Sequence, residues 1–222
     1  MATTLSDVLT LARTYLNDDN ANQFSDPVLI PKSKIAHQEM QTKLWVNGSP
    51  IVRGQSAEIT IPSSGSITDV TNLNPTGFPS DMLLPSGIYE SAIGGASWVP
   101  VTEQIYFPIG YTAGARIGLW SFQQEHLLLA PCTASNIIVI QYRKSIPIPN
   151  IATDPIGVLF GDLYLAARTA SIAAASVGNE AVADKMQAMA KENFANLLVA
   201  NRGQQKAMVS TGMGYTGVPN SA

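Results

Sequence analysis

Leu5, Val8, Leu9, Ala12 and Leu16 recur at spacings of three and four, the period of one helical face, with Thr4 or Ser6 placed to cap the start. This predicts a short amphipathic helix over 5–16. After the polar stretch DDNANQ, Ser25-Asp26-Pro27 opens a second helix with proline in the first turn, where a missing N–H costs nothing. Pro31 is expected to break or restart that helix. The continuation from Lys32 to Trp45 keeps Ala36, Met40 and Leu44 on one face, and Asn47-Gly48 ends it.

Over residues 47–150 the helical period gives way to short β-branched or aromatic runs separated by Gly, Pro, Ser and Asn, which is the punctuation of β-structure. Strands are predicted at Ala57–Ile61, Ile67–Thr71, Ile88–Ala92, Trp98–Gln104, Arg116–Phe122, His126–Leu129 and Ile137–Tyr142. Short turns between neighbouring runs favour an antiparallel meander or small barrel over a parallel sheet. Alternation in Ser97-Trp98-Val99-Pro100-Val101 and Gly118-Leu119-Trp120-Ser121-Phe122 sets same-face aromatics two residues apart, as in a half-buried sheet. Pro147 and Pro149 close the section.

From Asp154-Pro155, Ile156, Leu159, Phe160, Leu163, Ala167, Ala170, Ala174 and Val177 mark another helical face that Gly178 stops. Asn179 caps a last helix, in which Ala183, Met186, Ala190, Phe194 and Leu197 recur until Gly203. Small faces such as Ala166, Ala167, Ala173 and Ala174 permit close approach, so an antiparallel pair is expected. Neither terminal helical segment covers its own apolar face. The predicted fold is therefore α+β: a four-helix base from 1–46 and 151–203, an inserted antiparallel β domain at 47–150, and an extended, partner-binding tail at 204–222.

Composition adds that this surface is sparsely charged. Of 222 residues, 13 % are charged, about half the ~25 % of an ordinary soluble chain, while the apolar share of 45 % is normal. Thirteen Lys and Arg against sixteen Asp and Glu leave a net charge of −3, with no basic excess to wrap nucleic acid. Ser, Thr, Asn, Gln and Gly take the place of charge, a surface cheap to desolvate against a neighbouring subunit. The single Cys132 excludes an internal disulfide and a Cys-rich zinc site. The opening MATTLSDVLTLARTYL lacks the basic start and apolar core of a signal peptide, so a cytoplasmic product is expected.

Candidate chemistry is thin. Gly212-Met213-Gly214-Tyr215-Thr216-Gly217 has phosphate-loop spacing, but no helix can follow it in the five residues that remain. His37-Gln38-Glu39 and Pro131-Cys132 resemble pieces of the zinc deaminase signature, with Ser135 where the second cysteine belongs. Both histidines, His37 and His126, are expected at the surface. No Gly-x-Ser-x-Gly elbow occurs. No catalytic residue, cofactor or metal is expected. Trp98, Trp120, Phe122, Tyr106, Phe107 and Tyr111 are read as core and subunit-contact residues; a sugar-stacking platform, and with it a carbohydrate-binding module, is the rival reading. Arg53, Arg116, Arg143 and Lys144 are the only basic residues of the β section.

In order and pattern the chain resembles the head-to-tail adaptor proteins of tailed bacteriophages. The resemblance spans nearly the full length. It is carried by Thr4-Leu5-Ser6-Asp7-Val8-Leu9, by Phe24-Ser25-Asp26, by Phe78-Pro79-Ser80-Asp81-Met82-Leu83-Leu84, and by the paired helices of Ile151 to Arg202 with Gly178-Asn179-Glu180 at their turn. Pro31 departs from the family pattern, in which the second helix runs on. The resemblance implies a structural virion protein of the neck, made in the host cytoplasm. It would form a dodecameric ring beneath the portal protein, carry a downstream tail or nozzle protein, and conduct double-stranded DNA without tight binding or catalysis. Another neck or tail-completion protein is the near alternative. Met208, Val209, Met213, Tyr215 and Val218 are the expected portal-binding anchors of the tail.

Overall fold

The computed structural model describes residues 3–95 and 97–210, and these form a mixed α+β structure of helices and a mixed sheet. The chain divides into two compact units, one drawn from the segments up to Val52 and from Ile146 onward, the other from Arg53–Ser145.

In the helical unit, α1 (Leu5–Leu16) starts with a capping box: the Thr4 hydroxyl accepts the Asp7 N–H while the Asp7 carboxylate accepts the Thr4 N–H at 2.8 Å. Two further first-turn donors are met from far along the chain, Leu5 N–H by the Asp154 carbonyl at 2.9 Å and Ser6 N–H by the Ala152 carbonyl at 2.8 Å. That use of 152–154 corrects the expected helix start at Asp154-Pro155. The Asp154 carboxylate instead accepts the N–H groups of Asn150 and Ile151, at 2.7 and 3.0 Å, in a turn. Gly157 and Phe160 then take left-handed backbone conformations, φ 69° and 62°, that no α-helix contains. Helix α4 accordingly spans Asp162–Ser176; of the face predicted before it, Ile156 is buried while Leu159 and Phe160 are exposed.

Helix α2 (Asp26–Val46) runs unbroken through Pro31, contrary to the expected interruption. Pro31 lies in the second turn. It withholds only the bond that the Pro27 carbonyl would accept, and Leu29, Ala36, Met40 and Leu44 on the buried face hold the helix together across it. Arg13 ties the two helices, pairing with Asp26 and donating from Nε to the Phe24 carbonyl at 2.9 Å.

Helix α4 packs against α1, α2 and α5 (Glu180–Ser210) at once. Its sequence explains this: Ala166, Ala167, Ala170, Ala173 and Ala174 are all buried, so small side chains face several neighbours and a helix apolar around most of its circumference becomes an interior one. Ser171 donates across to the Ala183 carbonyl at 3.0 Å. Helix α5 starts as read, with Asn179 Oδ1 accepting the Val182 N–H at 3.3 Å. It does not stop at Gly203, so the expected extended tail from 204 is corrected: 204–210 are helical. An interior glycine costs a helix only about 1 kcal/mol, and Gln204, Gln205, Lys206, Ala207 and Met208 are all good helix formers.

The β unit contains β1 (Arg53–Gln55), β2 (Ile59–Ile61), β3 (Thr68–Asp69), β4 (Met82–Ala92), β5 (Val99–Glu103), β6 (Leu119–Gln123), β7 (His126–Leu129) and β8 (Asn136–Lys144), with the one-turn helix α3 (Val70–Leu73) after β3. The order is β1-β8-β4-β5-β6-β7-β3, with β2 also on β8. The sheet is not the expected wholly antiparallel one, because β5 and β6 pair in parallel, Thr102 opposite Leu119. Nor is it a simple meander, since β8 lies between β4 and the two short strands β1 and β2. The predicted strand Ile67–Thr71 gives way to α3 because the Asp69 carboxylate caps a helical turn, accepting the Asn72 N–H at 3.1 Å. One face of the sheet closes on Ile59, Ile61, Ile88, Ile117, Trp120, Leu127, Ile138, Ile140 and Tyr142.

Candidate interaction surfaces

Parallel neighbours cannot be joined by a tight turn, so the β5–β6 connection must travel back along the sheet. Residues 104–118 make that return, and they carry the most exposed apolar side chains of the β unit. Ile105 and Tyr106 are 77 % and 75 % exposed and Ile109 fully so. The base of this loop is fixed. Thr102 N–H donates to the Gly118 carbonyl at 2.9 Å, Gln104 N–H to the Trp120 carbonyl at 2.8 Å, and the Ser121 hydroxyl to the Ile105 carbonyl at 3.0 Å. Tyr111 closes it, its hydroxyl donating to the Ile117 carbonyl at 3.1 Å.

Beneath the loop lies a buried acid. Glu90 is 2 % exposed, and its carboxylate accepts the N–H of Ile117 at 2.7 Å and that of Gly118 at 3.4 Å. Alternation in Ile88-Tyr89-Glu90 puts Glu90 on the same face as the buried Ile88, and a charged residue at a core position was the available signal. The result is a held loop that presents its tip to solvent.

Aromatic side chains divide accordingly. Trp120 is buried and its indole N–H donates to the Val101 carbonyl at 3.1 Å; Phe122, Phe107 and Tyr111 are half-buried, while Trp98 and Tyr106 are exposed. The rings available for stacking on a sugar are thus fewer than the sequence offers.

In the helical unit, Arg168 grips Glu39 with two bonds, Nε to Oε2 at 2.7 Å and Nη2 to Oε1 at 2.9 Å. The guanidinium's hydrogen bonds hold the Glu39 carboxyl below its usual range. Lys43 donates to the Tyr164 hydroxyl at 3.1 Å over the rings of Tyr164 and Phe194, and burial lowers its pKa. Burial pushes the Tyr164 phenol up to about 12. These groups bond one another within the helix packing.

His37 is buried, not at the surface as expected, because its ring packs in the core and Nε2 donates to the Ile156 carbonyl at 3.2 Å. Burial lowers its pKa from the ordinary 6.5. In the unfolded chain His37 takes up a proton more readily than in the fold, so the fold's advantage is complete above pH 6.5 and declines as pH falls below it. A His37→Gln variant is expected to lose that decline: urea midpoints measured from pH 8 to 5 should fall for the parent and stay flatter for the variant. His126 lies with Nδ1 2.9 Å from the Asp69 carboxylate.

The expected portal anchors are only partly placed. Met208 and Val209 lie in the last turn of α5, and Met213, Tyr215 and Val218 fall outside the described residues. A shallow groove of about 350 Å³ is lined by Asp7, Thr10, Leu11, Thr14 and Asp162. Its polar groups serve local structure: Asp7 caps α1, and the Thr10 hydroxyl donates to the Ser6 carbonyl at 2.9 Å. Among the described residues no His, Cys, Asp and Glu cluster has metal-binding geometry, and no helix is long and apolar enough to cross a membrane. Compared with known proteins, the chain matches no family model, and no curated protein matches it.

Proposed function

We propose that this chain is a structural subunit of a phage neck: a head-to-tail adaptor that forms a ring beneath the portal protein, carries a further tail component and lets double-stranded DNA pass without catalysis. In this reading α1, α2, α4 and α5 act as a four-helix base and the Arg53–Ser145 unit as a domain inserted into it. The resemblance of the Thr4, Phe24 and Phe78 segments to adaptor proteins supports the partner's identity. The observation that carries the need for a partner is the 104–118 loop, where the side chains of Ile105, Tyr106 and Ile109 stand in water on a hydrogen-bonded backbone. Large side chains held exposed in this way mark a protein contact. The low charge supports the same reading, since polar, uncharged flanks lose little on being covered.

Two variants test it. Ile105→Ser with Tyr106→Ser and Ile109→Ser should leave the fold intact and weaken subunit association at least tenfold, a loss of about 1.4 kcal/mol or more for the three side chains together. A chain ended after Ser210 should assemble but be retained poorly on immobilised portal, because it lacks Met213, Tyr215 and Val218. Undiminished assembly of the first and undiminished portal retention of the second would together reject the proposal.

A further inference from the structure

The turn that leads into α4 holds a side chain that its backbone disfavours. The Gly161 N–H donates to the Val158 carbonyl at 3.1 Å, so Leu159 and Phe160 are the central residues of a four-residue turn. Phe160 has φ 62°, which at the third position of a turn favours glycine or asparagine. Among the described residues it is the only aromatic one in that conformation. Both ends are fixed: Val158 is buried, and the Gly161 carbonyl accepts the Leu165 N–H at 2.9 Å. Yet the side chain that strains the turn finds no burial, since Phe160 is 55 % exposed and its neighbours Leu159 and Leu163 are exposed as well. Strain retained in this way clusters at functional sites. Asp162 lies between Phe160 and Leu163, and among the described residues no cation pairs with its carboxylate.

The β unit carries a surface of the opposite charge. Across the adjacent strands β1, β8 and β4, Arg53 stands opposite Arg143 and Arg143 opposite Leu84, so the three side chains form one row on one face. That face is the outer one, because the next row, Gly54, Tyr142 and Pro85, turns inward, with Tyr142 in the core. Both arginines are exposed, and so is Leu84. Like charges directly opposite one another destabilise a sheet, and among the described residues no carboxylate pairs with either arginine. Two guanidinium groups beside a leucine suit a carboxylate that stands beside apolar side chains.

We infer that the 159–163 turn of one copy of this chain docks on the Arg53–Arg143–Leu84 row of the next. Asp162 meets the two arginines, and Leu159 and Phe160 cover Leu84. Charge decides the occupant: the chain is sparing with charge, and each surface carries it unpaired, in the sign that the other lacks and beside exposed leucine. The two surfaces are different, so the contact is heterologous. Each subunit keeps a free turn on one side and a free row on the other, and the contact repeats until the chain of subunits closes into a ring. The inference deepens the adaptor reading and rests on it for that closure.

The test is sedimentation velocity of the full chain over a concentration series, alone and, where it is monomeric alone, on an assembled phage portal protein. Arg53→Glu with Arg143→Glu should weaken association of the subunits roughly tenfold or more, and so should Asp162→Arg by itself. The three substitutions in one chain should restore it, as should mixing the two variants in equal amounts, because every contact then joins opposite charges again. Restoration is the readout that a merely misfolded variant cannot give. Phe160→Gly should also weaken association roughly tenfold or more, while its thermal midpoint equals or exceeds the parent's, since glycine takes φ 62° without strain. Failure of the combined charges to restore association, or unchanged association in Phe160→Gly, overturns the inference. If the parent associates and none of these variants alters it, the adaptor reading stands without this contact; a parent that associates in neither setting rejects both.

Discussion

Replacing Glu90 with alanine is expected to destabilise the β unit by about 3–5 kcal/mol, among the largest losses any single side chain here can cause. The carboxylate is the acceptor for two backbone donors at the foot of the 104–118 loop, Ile117 N–H at 2.7 Å and Gly118 N–H at 3.4 Å. Ile117 is fully buried, so water cannot replace the lost acceptor. Hydrogen bonds to a charged group contribute about 1.5–3 kcal/mol each, and an orphaned buried donor costs a comparable amount. For a unit of this size such a loss lowers the melting midpoint by upwards of about 12 °C. Glu90→Gln keeps one acceptor oxygen but turns an N–H2 toward a second donor, so it should fall between the parent and the alanine variant. Calorimetry that finds alanine within 1–2 °C of the parent would show that the loop is held by other means.

The second large effect is expected at Gly54. A Cβ added there would lie 2.4 Å from Tyr142 Cζ and 2.8 Å from its hydroxyl oxygen. The ring has little room to yield, since Tyr142 is packed in the sheet core and its hydroxyl donates to Asp81 Oδ1 at 2.9 Å. Gly54→Ala therefore has to displace the ring and break that bond, at a cost of about 2–3 kcal/mol. A spectroscopic sign goes with it. Burial, and then the bond to Asp81, push the Tyr142 phenol up to about 12, and in the variant its absorbance titration should move back toward 10. Gly54→Ala combined with Tyr142→Leu should recover part of the lost stability, because the smaller side chain admits the methyl group. Full stability in Gly54→Ala alone would contradict the packing described.

These positions show which kinds of information the sequence holds. Local signals were legible: the Thr4 cap, the 5–16 helix, the Asn179 start and the His126–Leu129 strand match the structure, because each depends on residues within one or two turns of itself. Asp154-Pro155 misled for a local reason as well. An Asp-Pro pair serves a turn as readily as a helix start, and what decided the outcome was the need of α1 for acceptors at Ala152 and Asp154. Gly203 misled because a single glycine is a weak stop when good helix formers follow it.

Long-range pairing was not legible. Nothing within either strand says that β5 and β6 lie parallel, or that Arg53 meets Arg143 across ninety positions of chain; register is set by which faces can be buried together. The interaction surfaces follow that division. The apolar residues of 104–118 are visible as composition, with Tyr106, Phe107 and Tyr111 expected in the core or a subunit contact, and only the parallel crossover puts Tyr106 and Ile109 in solvent. Glu90 was visible too, as an acid in an alternating apolar run, but its partners 27 and 28 residues away were not.

The most direct test of the adaptor proposal is the mass of the full chain by light scattering, alone and then mixed with an assembled phage portal protein. The proposal predicts either a closed ring of the chain by itself or a monomer that becomes a defined multiple on the portal. A chain that stays monomeric and leaves the mass of the portal unchanged at every ratio would contradict it.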